Sequence, residues 1–303
     1  MGDGVGSSTG DGIIAATTPR GRADDSGGRD MAPGTGTLAF AIAAIGGVVG
    51  LLLLVVSFTS WRFGAWIPRE QLTTGLVGAA MAGVAPGLLR VNAMFLWEET
   101  RSLFWPVAVA VPGLFAVSAI HQSDLALHGG ADGLATLFSL GWLLVLLGLS
   151  VFVLIAFVQQ MLEPALPPDP AVAPLPGWAK PLLALLGSAW LGAGMGLLLG
   201  PSFWGRFVPW RVSTLDAQAL GVWSLALGVG VLGALAEDDL ARVRPALTAV
   251  VGAGVALAVV LLGHAGVVDW SSIGGIALVV LVGGLLATGA VGTLLWRSAR
   301  LAP

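Results

Sequence analysis

Three histidines are the chain's only imidazoles. His121 precedes Asp124, His128 precedes Gly129 and Gly130, and His264 precedes Asp269. An imidazole beside a carboxylate can hold a metal ion or relay a proton. His121, Asp124, His264 and Asp269 therefore form a candidate polar cluster. No two histidines stand four positions apart, so one helix cannot supply the site, and two loops would have to converge. The plainer reading is that the histidines end helices and the aspartates cap the next ones.

A second set mixes acids with arginine. Glu98, Glu99 and Arg101 stand together, as do Glu237, Asp238, Asp239, Arg242 and Arg244. An arginine three or four positions after an acid suits a helical ion pair. Two such clusters at one membrane face would make a gate whose bridges form and break in an access cycle. The plainer reading is a solvated helix end. Arg90, followed by Asn92, either snorkels to an interface or faces inward to hold an anionic group. Arg62, Arg69, Arg206 and Arg211 read as interfacial anchors near lipid headgroups.

Several chemistries are excluded or unsupported. There is no cysteine, which removes disulfides, thiolate metal sites and cysteine nucleophiles. No phosphate-binding GxxxxGK[ST] loop, no HExxH and no GxSxG following a strand occurs. No cofactor is expected, and the metal question is open.

The elements that must position these residues follow from composition. Of 303 residues, 56% are apolar and 10% charged, against about 25% charged in a soluble domain. Mean hydropathy is +0.90. A soluble domain or a basic nucleic-acid binder is ruled out, and the expected partner is a lipid bilayer. Stretches of about 18 or more uncharged residues occur eight times, near 37–58, 72–89, 102–120, 134–158, 181–200, 217–235, 245–263 and 272–296. Inside lipid each must satisfy its own backbone, which predicts helices. Pro86, Pro106 and Pro112 predict kinks or locally opened backbone in the second and third. No span centre carries an ionisable residue, which argues against an ion-coupled pump.

Eight spans put both termini on one side. That side receives Arg22, Arg29, Arg90, Arg101, Lys180, Arg242, Arg244, Arg297 and Arg300. The other receives Arg62, Arg69, Arg206 and Arg211. The positive-inside rule then predicts a cytoplasmic membrane with both termini cytoplasmic. Nine tryptophans near span ends (positions 61, 66, 97, 105, 178, 204, 210, 270 and 296) read as an interfacial belt, while Trp142, Trp190 and Trp223 lie deeper and read as packing.

The two halves resemble each other. Phe63-Gly64-Ala65-Trp66-Ile67-Pro68-Arg69 aligns with Trp204-Gly205-Arg206-Phe207-Val208-Pro209-Trp210, and Arg101 aligns with Arg242, at an offset of 141. The fold class expected is all-α: a polytopic integral membrane protein with eight transmembrane helices in two parallel four-helix repeats. Its plan is a disordered tail over 1–36, a first repeat over 37–160, a Pro-rich linker over 161–180, a second repeat over 181–298 and a short tail over 299–303. The spacings Gly46/Gly50, Gly192/Gly196 and Gly196/Gly200 suit close helix approach.

The function expected is non-catalytic: an accessory or partner-binding membrane protein, whose protein partner or solute the residues do not name. The alternative is a permease for a small solute with its pathway between the repeats. A more distant alternative is a membrane enzyme using the His and Asp residues. A polar cavity between the halves would favour the permease, a sealed apolar bundle the accessory role, and a His/Asp cluster at ligand distance the enzyme.

Overall fold

The structure, a computed structural model, describes residues 28–301 apart from 60, 62–63, 128–132, 165–166 and 168. Arg62, His128 with its glycine pair, and residues 1–27 of the expected tail lie outside the described residues.

The described chain is all-helical. Its long helices are α1 (Thr35–Ser57), α2 (Gln71–Val91), α3 (Arg101–Ile120), α4 (Gly133–Leu162), α5 (Ala179–Leu199), α7 (Thr214–Glu237), α8 (Arg244–Gly263) and α9 (Ile273–Leu301). α6 is a single turn, Pro201–Trp204. The eight long helices are each long and apolar enough to cross a membrane. They match the eight uncharged stretches to within a few residues at almost every end. Pro86, Pro106 and Pro112 lie inside helices that continue through them.

Four helices form the centre and four the flanks. α2 is the most enclosed, α3, α7 and α8 follow, and α1, α4, α5 and α9 present more of their surface outward. Neighbouring helices meet in a regular scheme: α1 lies along α2 and α5 along α7, α2 along α8 and α7 along α3, α3 along α4 and α8 along α9. Glycine sets the closest crossings. A Cβ on Gly50 would fall 2.7 Å from the Gly78 carbonyl oxygen, and one on Gly194 would fall 2.9 Å from that of Gly221. Between the halves, a Cβ on Gly83 of α2 would stand 2.4 Å from the Cα of Ala253 on α8. Small residues let these backbones touch, which is how helices adhere in lipid. Gly46 and Gly192, expected to share in this, face open space.

The loops fall into two groups, one at each end of the bundle. At the first end lies the segment before α1. Met31 N–H donates to Phe95 O and Trp97 N–H to Arg29 O. The buried Gln160 amide reaches back from α4, accepting from Ala32 N–H at 2.8 Å and donating to Asp30 O at 2.9 Å. Residues 28–36 thus belong to the packed body, not to the tail where sequence reasoning put them. The segment before α5 is held likewise, with Leu240 N–H on Ala173 O, so the latter part of the expected linker also packs. At the second end, Ala126 N–H donates to Ala65 O and Asp269 N–H to Pro209 O.

These paired contacts recur 143 or 144 positions apart (97 and 240, 29 and 173, 126 and 269, 65 and 209). The spacing differs from the sequence offset of 141.

Candidate functional site

The acids and arginines of the first end act in two ways. Glu98 accepts Arg29 N–H at 3.1 Å and is buried. Asp239, 1% exposed, accepts the N–H groups of Val172, Ala173 and Ala241 at 3.0, 3.1 and 2.9 Å. Asp238 takes a left-handed backbone (φ 48°) just past the end of α7. It accepts Leu175 N–H at 3.2 Å and Lys180 Nζ at 2.5 Å. The Lys180 ammonium holds the Asp238 carboxyl below the usual carboxylate range against its loss of hydration, and the Leu175 N–H adds to the lowering. These three acids fasten each half's own entry segment and do not bridge the halves. Arg242 stays local too, 3.6 Å from Asp239 and bonded to Asp169 O.

The bridges between halves use a different pairing. Arg101, at the start of α3, grips Glu237, the last residue of α7, with Nη2 2.8 Å from Oε2. Arg244, at the start of α8, reaches Glu99 at 3.4 Å and lies over the Trp296 ring. Each third helix thus extends an arginine to an acid of the other half. Of the six expected gate residues, Glu99 and Arg101 bridge the halves. Their partners are Arg244 and Glu237, which the sequence placed in the same cluster. Arg90 is exposed in the last turn of α2, and its carbonyl accepts Ala93 N–H at 3.1 Å.

At the second end the bridges are tryptophans. Trp66 Nε1 donates to Asp216 Oδ1 at 3.0 Å, and Trp210 Nε1 donates to Thr73 Oγ1 at 3.1 Å. Each indole comes from one half's loop and reaches the first turn of the other half's helix. Asp216 also closes a capping box with Ser213, whose N–H it accepts at 2.9 Å, and it accepts Arg69 N–H at 3.2 Å. Trp66, Trp97 and Trp210 are therefore buried, a correction to the expected lipid-facing belt. An indole with a fixed acceptor inside gains more there than at a headgroup. Asp216 was missed as a site. Its signal was the spacing Ser213-x-x-Asp216 ahead of an apolar run.

Among the described residues, His121, Asp124, His264 and Asp269 do not gather into a metal-holding group. His121 Nδ1 lies 3.1 Å from Val117 O, its own helix's last turn. His264 lies 3.0 Å from Val260 O and 2.8 Å from Ser57 O, against the Phe58 ring. It borders a cavity of about 390 Å³ with Arg69 and Glu70. Asp124 is exposed. Asp269 accepts the Ser271 hydroxyl at 2.6 Å, which holds its carboxyl below the usual range. No group of three His, Cys, Asp or Glu able to hold a metal occurs among the described residues.

Two further cavities are apolar. One, of about 310 Å³, lies among α1–α4 beside Phe138 and Trp142, with Trp223 of α7 also on its wall. The other, of about 600 Å³, is lined by α5, α7, α8, α9 and the α6 turn, with Leu76 and Ala80 of α2. At the central seam the space is about 50 Å³, between Pro106, Leu227 and Gly230. No family model, no curated protein and no solved structure matches the chain.

Proposed function

We propose that this chain is a non-catalytic, accessory protein of the cytoplasmic membrane, a rigid body made of two duplicated four-helix halves that works by binding. The observation that carries the reading is the pairing across the halves at both ends: Arg101 with Glu237 and Arg244 with Glu99 at one, Trp66 with Asp216 and Trp210 with Thr73 at the other. An access cycle opens one face while closing the other, and bonds at both faces oppose it. The close approach of Gly83 and Ala253 between them supports the same conclusion.

The duplication reading draws on the contacts that recur 143 or 144 positions apart, on the paired helix scheme and on the reciprocal direction of the bridges. Both termini then lie in the cytoplasm with the Asp238/Asp239 end, where most of the basic residues fall.

Spin labels test rigidity cleanly in a chain without cysteine. Cysteines at Asp124 and Asp269 report on one end, and cysteines at Phe95 and Val172 on the other. One narrow distance distribution at each end is expected in liposomes. Two populations that move oppositely at the two ends would overturn the reading in favour of the permease. Labelling Asp124→Cys in intact cells with an impermeant maleimide tests the orientation.

A further inference from the structure

We propose that the end of α9, together with the start of α8, binds the phosphodiester headgroup of an anionic phospholipid. The inference rests on the membrane-spanning body and not on the rigidity argued above.

The site is one tryptophan shared by two arginines. Arg244, at the start of α8, holds its guanidinium carbon 5.2 Å from the centre of the Trp296 ring. Arg300, one turn past Trp296 on α9, holds its own at 5.7 Å. Trp296 is half-buried against the core, which makes the ring a fixed platform for both cations. Two like charges gathered on one ring repel each other, and an anion near both relieves the repulsion.

The chain's own acids do not fully supply that anion. Arg244 Nε donates to Ala241 O at 2.9 Å, and Nη2 lies 3.4 Å from Glu99. Among the described residues its Nη1 has no acceptor, and no acid pairs with Arg297 or Arg300. Arg90 adds a further charge nearby. A Cβ on Gly87 would stand 2.6 Å from the Pro245 carbonyl oxygen, so α2 ends beside the start of α8. The corner formed by α3 and α4 is different. Arg101, at the start of α3, is met by both oxygens of Glu237. α4, which lies along α3, carries no arginine or lysine.

Depth decides what the anion is attached to. α9 runs uncharged from Ile273 to Trp296, about 36 Å at 1.5 Å per residue, against about 30 Å of hydrocarbon. Trp296 therefore lies at headgroup level, where the arginines beside it meet phosphates. Val291 and Leu294, within two turns of Trp296, are exposed and give acyl chains a surface to lie along. A phospholipid makes both contacts at once, charge-assisted at its phosphate and apolar at its chains. A free anion makes the first alone.

The test uses the full chain in detergent, titrated with dioleoylphosphatidylglycerol or dioleoylphosphatidylcholine and read by native mass spectrometry. The anionic lipid should bind at least about tenfold more tightly than the zwitterionic one. Arg300→Gln and Arg244→Gln should each weaken it about fivefold. Arg297→Gln removes the same charge from the same turn of α9 but not from the ring, and should leave the affinity near the parent's. Arg297 and Arg300 are both exposed, so neither change disturbs packing. Equal affinity for the two lipids would overturn the proposal. So would a loss in Arg297→Gln as large as in Arg300→Gln, which would mark diffuse charge attraction. Displacement of the lipid by millimolar inorganic phosphate would overturn it too, marking a site for a free anion.

Discussion

Arg101 and Glu237 stand 136 positions apart in sequence, yet they meet in a two-pronged ion pair at one end of the bundle. The acid is almost fully buried and the arginine about one third exposed. Stripping the acid of its partner leaves a charge with little water around it, so the pair is worth more intact than its Coulomb attraction alone suggests.

Arg101→Leu should therefore cost about 2 kcal/mol in unfolding free energy, read by thermal or denaturant melting in detergent. Arg244→Leu should cost less than about 1 kcal/mol, because Glu99 and Arg244 are both more solvated than Glu237. Equal losses would mean that burial of the acid does not set the scale.

Gly83→Ala should destabilise by about 2–3 kcal/mol, since its new methyl meets the backbone of α8 and neither helix can yield without opening the seam. Gly46→Ala, facing open space, should stay within about 0.5 kcal/mol of the parent. The same melts decide both.

Trp66→Phe removes a donor from a buried carboxylate and should cost about 2 kcal/mol. Trp210→Phe removes one from a hydroxyl and should cost about 1 kcal/mol. The order of the two is the test, and a reversed order would reassign the stronger bridge.

The Asp238–Lys180 pair gives a pH dependence. The carboxyl titrates below its ordinary value when folded, so the contact is in place above the normal carboxylate range and is lost as pH falls through the lowered value. A nitroxide at Gly177, between Leu175 and Lys180, should gain mobility only once pH falls below the ordinary carboxylate range. In Lys180→Met the gain should begin at higher pH. A Lys180→Met profile unchanged from wild type would show that the ammonium does not hold the carboxyl.

The spans were legible because lipid imposes a single demand, an uncharged stretch long enough to close its own hydrogen bonds. Gln71–Val91 could be read from Gln71 and Arg90 at its ends. The bridges were less legible. Arg101 advertised its charge but not its partner, because Glu237 and Glu98 offer equally good acids until the helices are placed. Trp66 and Trp210 have the same signature as belt tryptophans, and only the position of Asp216 and Thr73 distinguishes an inward from an outward indole. Residues 28–36 looked like tail because the groups that hold them, Gln160 and Glu98, lie more than sixty positions away.

The crossed indole bonds also restrict how the two halves of the chain can be exchanged. Trp66 reads a carboxylate in its neighbour, whereas Trp210 reads a hydroxyl, so the two docking events differ in chemistry. A chimera assembled from two first halves would present threonine to both rings and lose the stronger contact; one assembled from two second halves would bury a pair of negative charges facing each other's tryptophan. The natural chain holds one of each, and swapping parts between its front and back would disturb a balance of charge that no alignment of the helices alone reveals.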